Sequence, residues 1–402
     1  MTLLDIPIAD FAAGPPRARR RAPVLSAPPR WRGLALVLFW LWSAACAAPE
    51  RSPATTTVQP SLGDSTYAAL VARLSEPQGF FDTDNLLSNE TGYLKVLGAL
   101  DRTGVRGGAY VGVGPDQNYS YIARIRPDIA FIVDIRRDNL LHHLLLRALM
   151  EGSPTRVEFL SALTGRAPPA DSGAWSRRSI GDIVAYVDGT PPDSGAAAEA
   201  HRRVSEVVTG YGIPLTDDDL STIGRFHQAF MDAGLSLRFT TLGRPPRPYY
   251  PTYRQLVLET DMEGNQASYL ASAEDYAWVR DLHQAGRIVP VVGDLAGTHA
   301  LSEMGDVFRE MGVTLSAFYA SNVEFYLWQG GTFGRWQANL ASLPAAANSV
   351  VIRSYFANFG EPHPSSVPGY YSTQILQPVG VAAAGSFGSY RDLVTREVLE
   401  LR

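Results

Sequence analysis

Two glycines and an acid at the ends of apolar runs are the residues whose types and spacing best suggest chemistry. The run Ala109-Tyr-Val-Gly-Val closes on Gly114, and Ile129-Ala-Phe-Ile-Val ends on Asp134, twenty residues after Gly114. Strand, glycine turn, helix, strand and acid together can hold a nucleoside. The glycines let the backbone approach the ligand, the helix start offers unpaired N–H groups, and the carboxylate receives a ribose hydroxyl. The same residues have plainer uses. Gly112 and Gly114 suit any tight strand-to-helix turn, and Asp134 has Arg136 and Arg137 at hand for an ion pair. Asp116 is expected to cap the following helix, whereas Asn118, one turn in, is placed to face a pocket.

Further along, Asp294 and His299 flank a turn at the end of another apolar run, a spacing that would let the acid orient the imidazole as a base. The competing reading makes Thr298 a helix cap and leaves His299 exposed. Asn322, Glu324 and Tyr326 alternate, so amide, carboxylate and phenol converge on one side if they continue a strand. Arg244-Pro-Pro-Arg247-Pro-Tyr249-Tyr250-Pro-Thr-Tyr253-Arg254 is a proline-stiffened loop able to clamp an anionic or aromatic ligand, or to pack its rings onto the body. Glu259 to Gly264 opens like a calcium loop but has Leu270 at the twelfth position, and adjacent His142 and His143 point about 100° apart on a helix, so no metal site is expected. HExxH, GxSxG and GxxxxGK[ST] patterns are absent.

The elements that must position these residues alternate. Helices are expected at 66–74, 94–100, 117–126 and 138–151, with strands at 109–113 and 129–134. Residues 152–285 break the alternation, contain two Pro/Gly-rich loops, and read as a mostly helical insertion or cap, with helices near 156–164, 197–209, 217–234 and 273–285. Alternation resumes with strands 288–292, 314–320 and 349–355 and helices 298–311 and 333–342. Short, continuous apolar runs suit buried parallel strands, which implies an α/β, doubly wound, mostly parallel sheet. Residues 63–151 and 286–402 form its two halves.

With Val111-Gly112-Val113-Gly114, Asp134 and Gly293-Asp294 in these places, the chain resembles the class I methyltransferase-like Rossmann fold. The resemblance implies S-adenosylmethionine as cofactor, held by Gly112, Gly114, Asn118, Asp134 and Asp294. It implies substrate or catalytic roles near Asn322, with Glu324 and His299 as further candidates and Arg244, Arg247, Tyr249, Tyr250 and Tyr253 on the acceptor. Pro115-Asp116-Gln117-Asn118 replaces the usual third glycine. The longer run Gly112-Val-Gly-Pro-Asp-Gln-Asn-Tyr-Ser-Tyr-Ile, with Asp134-Ile-Arg-Arg-Asp-Asn, is also similar to a family of uncharacterised bacterial proteins. An NAD-linked redox role fits less well, because Asp116 puts an anion where a pyrophosphate would lie.

The start of the chain argues against a cytoplasmic cofactor. Arg17 to Arg32 precede a nine-residue apolar run, Leu34–Trp42, and Ser43-Ala-Ala-Cys46 follows. Basic start, short apolar core and small-residue exit make an export signal over residues 1–46. Ser43-Ala-Ala-Cys46 resembles a lipobox, which implies acylation of Cys46; ordinary cleavage near Ala47 or Ala48 is the rival, and a misassigned start codon would leave the protein cytoplasmic. Residues 47–62 read as a tether. Cys46 is the sole cysteine among 402 residues, which excludes a thiolate zinc site and an intrachain disulfide. A net charge of −5 without a long Lys/Arg run gives no nucleic-acid footprint. Exported, the fold would bind a small ligand at the sheet's carboxyl edge without its ancestral cofactor; retained, it would serve as a methyltransferase for a small molecule.

Overall fold

The computed structural model describes residues 58–402 apart from 84 and 243–246. The expected export signal over residues 1–46, Cys46 and Arg244 therefore lie outside the described residues. Within them the chain is a mixed α/β body built on one six-stranded sheet of order β3-β2-β1-β4-β5-β6. The strands are β1 Ala109–Val113, β2 Ile129–Asp134, β3 Ile288–Val292, β4 Leu315–Ser321, β5 Ala345–Phe356 and β6 Ser372–Pro378. The first five run parallel, in registers such as Ala109 on Ile129 and Ala130 on Ile288, and β6 pairs antiparallel to β5.

The helices are α1 Asp64–Leu74, α2 Leu97–Arg102, α3 Gln117–Ile125, α4 Arg137–Glu151, α5 Arg156–Leu163, α6 Ile180–Gly189, α7 Ser194–Gly210, α8 Asp217–Ala233, α9 Tyr253–Val257, α10 Ala273–Gln284, α11 Ala300–Met311, α12 Val323–Gln329, α13 Phe333–Ser342, α14 Val379–Ala384 and α15 Tyr390–Thr395. Every residue of β1 and β3 is buried. Alternate side chains of a strand point to opposite faces, so both faces of the sheet are covered. The strand order runs outward one way through β2 and β3, then back to β4 and outward the other way. Right-handed crossovers put the two sets of helices on opposite faces and leave a switch point between β1 and β4. One set is α3, α10 and α4, the other α1, α11 and α13.

Local signals account for the boundaries. Arg126 ends α3 in the left-handed region at φ 54°, just before Pro127. Gly312 ends α11 at φ 64°. Capping boxes start α5 at Thr155/Glu158, α6 at Ser179/Asp182 and α8 at Thr216/Asp219. The structure adds α6, α9, α12, α14, α15 and β6 to the expected elements. It also sets α10, grouped with the insertion in the sequence, against α3 and α4 in the layer beside the sheet.

The segment Ser75–Thr91 is a strap across the carboxyl ends of the strands. Glu76 N–H donates to Val292 O at 2.9 Å at the end of β3, and Gly79 N–H to Ile135 O at 2.7 Å beyond β2. A Cβ at Gly79 would lie 2.5 Å from the Ile135 side chain, so the close approach requires glycine there. Glu90 reaches β4, β5 and β6, and Thr91 O accepts from Ser372. Among the described residues no helix is long and apolar enough to cross a membrane.

Candidate ligand site at the carboxyl edge of the sheet

The turn after β1 is held by its own side chains. A Cβ on Gly112 would stand 1.9 Å from Asn118 Oδ1 and 2.8 Å from the Tyr110 hydroxyl, so glycine here makes room for Asn118. Asn118 is fully buried: its Oδ1 accepts from Tyr110 at 2.7 Å and its Nδ2 donates to Val113 O at 2.9 Å and Pro115 O at 2.7 Å. Its polar atoms tie the turn rather than stand open to a pocket. Gly114 turns at φ 83°, and its carbonyl accepts from Asn139 Nδ2 at 3.2 Å and His143 Nε2 at 2.9 Å. A carbonyl only accepts, so Nε2 carries the proton and Tyr119 donates to Nδ1, 2.7 Å away. Burial pulls the His143 pKa down to about 4 and keeps the ring neutral.

Two amide oxygens beside Gly114 are open. Gln117 Nε2 donates to Tyr319 Oη at 3.3 Å, because the Tyr319 proton goes to Glu90, and Asn139 Nδ2 donates to Gly114 O. Both amide orientations are thereby assigned, and Gln117 Oε1 and Asn139 Oδ1 are left buried without a partner among the described residues.

Asp116 does not cap α3. It already has helical backbone angles, φ −70° and ψ −7°, and makes no side-chain cap. Its Oδ2 instead accepts from Tyr253 at 2.8 Å and Tyr269 at 3.0 Å, two phenols from the later part of residues 152–285. Burial pushes its pKa from the usual 3.8 up to about 6, against the pull of the two hydroxyls. The folded chain thus holds this proton up to about pH 6, whereas the unfolded chain loses it near 3.8. Stability from this group is complete below 3.8 and lost as pH rises through 6. Asp116→Asn is expected to raise stability at pH 7–8 by about 1–3 kcal/mol and to change little at pH 4, checked by urea unfolding at both pH values. An equal effect at both would refute the assignment.

At the end of β2, Asp134 is engaged. Oδ1 accepts from the Arg136 backbone N–H at 2.9 Å, and Oδ2 takes Arg136 Nη2 at 3.0 Å and Asn85 Nδ2 of the strap at 3.2 Å. Arg136 also donates to Thr83 O, which locks acid and strap together. Arg137 turns away to Asp219 at the start of α8. At the end of β3, Asp294 Oδ1 accepts from Ala296 N–H at 2.9 Å and Asp294 N–H donates to Glu76 Oε1 at 2.6 Å. His299, and not Thr298, is the residue before α11, and its Nε2 meets Arg73 O at 2.9 Å. No bond joins Asp294 to His299 among the described residues.

After β4 the chain turns helical, which overturns the expected alternation. Asn322 is the last residue before α12, Glu324 points inward, and Tyr326 is 43% exposed. Residues two apart on a helix do not face the same way. Glu324 is buried against Arg353 of β5, 2.5 Å from Nε, and accepts from Trp336 Nε1 at 3.0 Å. It serves the core. Glu90, from the strap, is the acid at this end of the sheet. Its carboxylate accepts from Tyr319 at 2.5 Å, Ser354 at 2.5 Å and Gln374 at 3.1 Å, and from Ser321. Burial raises its pKa while these donors oppose the rise. The sequence showed Glu90 only as one polar residue in Ser88-Asn-Glu-Thr91, and no spacing marked it.

The arginine- and tyrosine-rich loop divides. Tyr253 is buried on Asp116, Tyr250 packs on Phe239 at 4.9 Å between centroids, and exposed Tyr249 lies on Tyr371 at 4.4 Å. Arg247 is half-buried, and Arg254 pairs with Asp188. No group of three or more potential metal ligands occurs among the described residues.

The model of a domain of unknown function, DUF7790, matches residues 86–171 and 240–382, more than half of the chain. The chain belongs to the DUF7790 family. The DUF7790 match contains all six strands, the Gly114 turn, Asp116, Glu90 and both tyrosines on Asp116, while α6, α7 and α8 fall in the gap between its two blocks. No curated protein matches the sequence.

Proposed function

We propose that this DUF7790 protein is an exported envelope protein with a methyltransferase-like Rossmann fold, and that it binds a small ligand at the β1/β4 switch point without transferring a methyl group. The observation that carries the ligand is the pair of unpartnered acceptors, Gln117 Oε1 and Asn139 Oδ1, beside Gly114. Buried acceptors without partners are rare, and these two call for a ligand that brings N–H or O–H donors. The grip of Arg136 and Asn85 on Asp134 supports a role without a nucleoside cofactor, since the acid that would meet a ribose is already bonded at both oxygens. Export rests on the leader, and a lipid anchor on Cys46.

The second reading, an S-adenosylmethionine-dependent methyltransferase for a small molecule, is favoured by the strand order, the antiparallel last strand and the Gly114 turn. Isothermal titration of S-adenosylmethionine and S-adenosylhomocysteine into the full chain separates the two. No heat from a folded protein is expected. Micromolar binding that is lost in Asp134→Ala would overturn the cofactor-free reading. Native mass spectrometry of the protein from its own host would then seek the ligand, expected as an adduct that Gln117→Leu removes.

A further inference from the structure

We propose that the tip formed by Phe80, Phe81 and Leu242 docks on a lipid surface bearing anionic headgroups. This surface lies on projecting loops and does not depend on the ligand site proposed above. Six large apolar side chains are exposed among the described residues, and five of them sit on segments that meet at the carboxyl edge: Phe80, Phe81, Leu242, Tyr249 and Tyr326. Such clustering on one edge marks an interaction surface, whereas scattered single side chains would not.

The tip is built, not incidental. Gly79 pins the strap to Ile135 on one side of the two phenylalanines. On the other side Leu242 N–H donates to Asp82 O at 2.7 Å, Thr83 pairs with Thr241, and Thr83 Oγ1 donates to Thr240 O at 2.8 Å. Two loops from distant parts of the sequence are thus fastened together with their apolar residues outward, and Phe81 meets Tyr326 edge to face at 5.3 Å.

Shape and charge select the partner. Phe80 leaves 75% of its surface in water, so it projects, whereas small-molecule sites are concave. The stretch of chain that carries Leu242 also carries half-buried Arg238 and Arg247, neither paired with a carboxylate among the described residues; Arg238 donates to the Pro248 and Tyr250 carbonyls. Apolar side chains that dip below the headgroups, with arginines and tyrosines at headgroup depth, are the chemistry of an interfacial anchor.

The test uses the full chain with Cys46→Ser, so that one introduced thiol carries an environment-sensitive nitrobenzoxadiazole label. Phe80→Cys reports the tip, and Ser205→Cys, exposed on α7, reports a distant surface. On vesicles of phosphatidylethanolamine and phosphatidylglycerol, a blue shift and roughly twofold brighter emission are expected at position 80 alone, reduced by Phe81→Ser with Leu242→Ser. A label at position 80 that stays aqueous while the chain floats with the vesicles would assign all binding to the leader and overturn the proposal. Equal changes at positions 80 and 205 would also overturn it, as would docking of the tip on another protein with no response to lipid.

Discussion

Glu324→Ala is expected to lower the unfolding free energy by about 3–5 kcal/mol, the typical loss when one partner of a buried ion pair is removed. Arg353 is 0% exposed and Glu324 1%, so water does not replace the missing carboxylate. Arg353 would keep only Gln377 Oε1, 2.6 Å from Nη1, as an acceptor for a full positive charge. Gln377 in turn donates to Leu393 O at 3.2 Å, so the disturbance reaches the C-terminal segment that packs on β6. Denaturant unfolding measures the loss. Arg353→Met in the same chain is expected to recover much of it, because an apolar side chain needs no counter-charge. A double variant as unstable as Glu324→Ala would show that the carboxylate contributes through Trp336 and packing, and would sink the ion-pair account.

Glu90→Ala is expected to cost a similar amount, about 3–5 kcal/mol, through a different cause. The carboxylate collects donors from three strands, Tyr319 and Ser321 on β4, Ser354 on β5 and Gln374 on β6. Removing it leaves several buried donors unpaired at once and unfastens the strap. Amide hydrogen exchange is therefore expected to accelerate across residues 85–92 more than in β1, a local signature that general destabilisation would not produce. Glu90→Gln keeps one acceptor and is expected to cost less. Because burial raises the Glu90 pKa, its contribution is greatest at low pH and declines as pH rises through the folded value, and Glu90→Gln should flatten that decline. Uniform exchange across the sheet would refute the fastening role.

Local sequence was sufficient for most of the fold. The apolar runs at 109–113, 129–134 and 288–292 could only be strands buried on both faces, and the helices between them followed a 3.6-residue period. β6 escaped because Ser372-Thr-Gln-Ile-Leu-Gln-Pro378 contains only two large apolar residues. Its polar side chains are buried all the same: Gln374 serves Glu90 and Gln377 serves Arg353. A strand whose polarity is matched by distant partners has no pattern of its own to read. α6 did carry a local signal, the Ser179/Asp182 capping box, that hydrophobic period alone passes over.

The residues of the site were legible by type and place but not by use. Gly114 does turn in the left-handed region and Asp134 does end β2, as their positions implied. Asn118, Asp116 and Glu324 were equally visible, yet their partners Tyr110, Tyr253 and Tyr269, and Arg353 lie up to 153 residues away along the chain. By itself the sequence determined the alternation of elements, the glycine turn and the acids at the strand ends, because each depends on neighbours within a few residues. Only the tertiary structure decided which polar groups are already bonded to one another, which two amide oxygens beside Gly114 remain open, and that a strap and a loop meet to form an apolar tip. A side chain's hydrogen-bonding capacity is written in its type, whereas its partner depends on which segments folding brings within 3 Å or so.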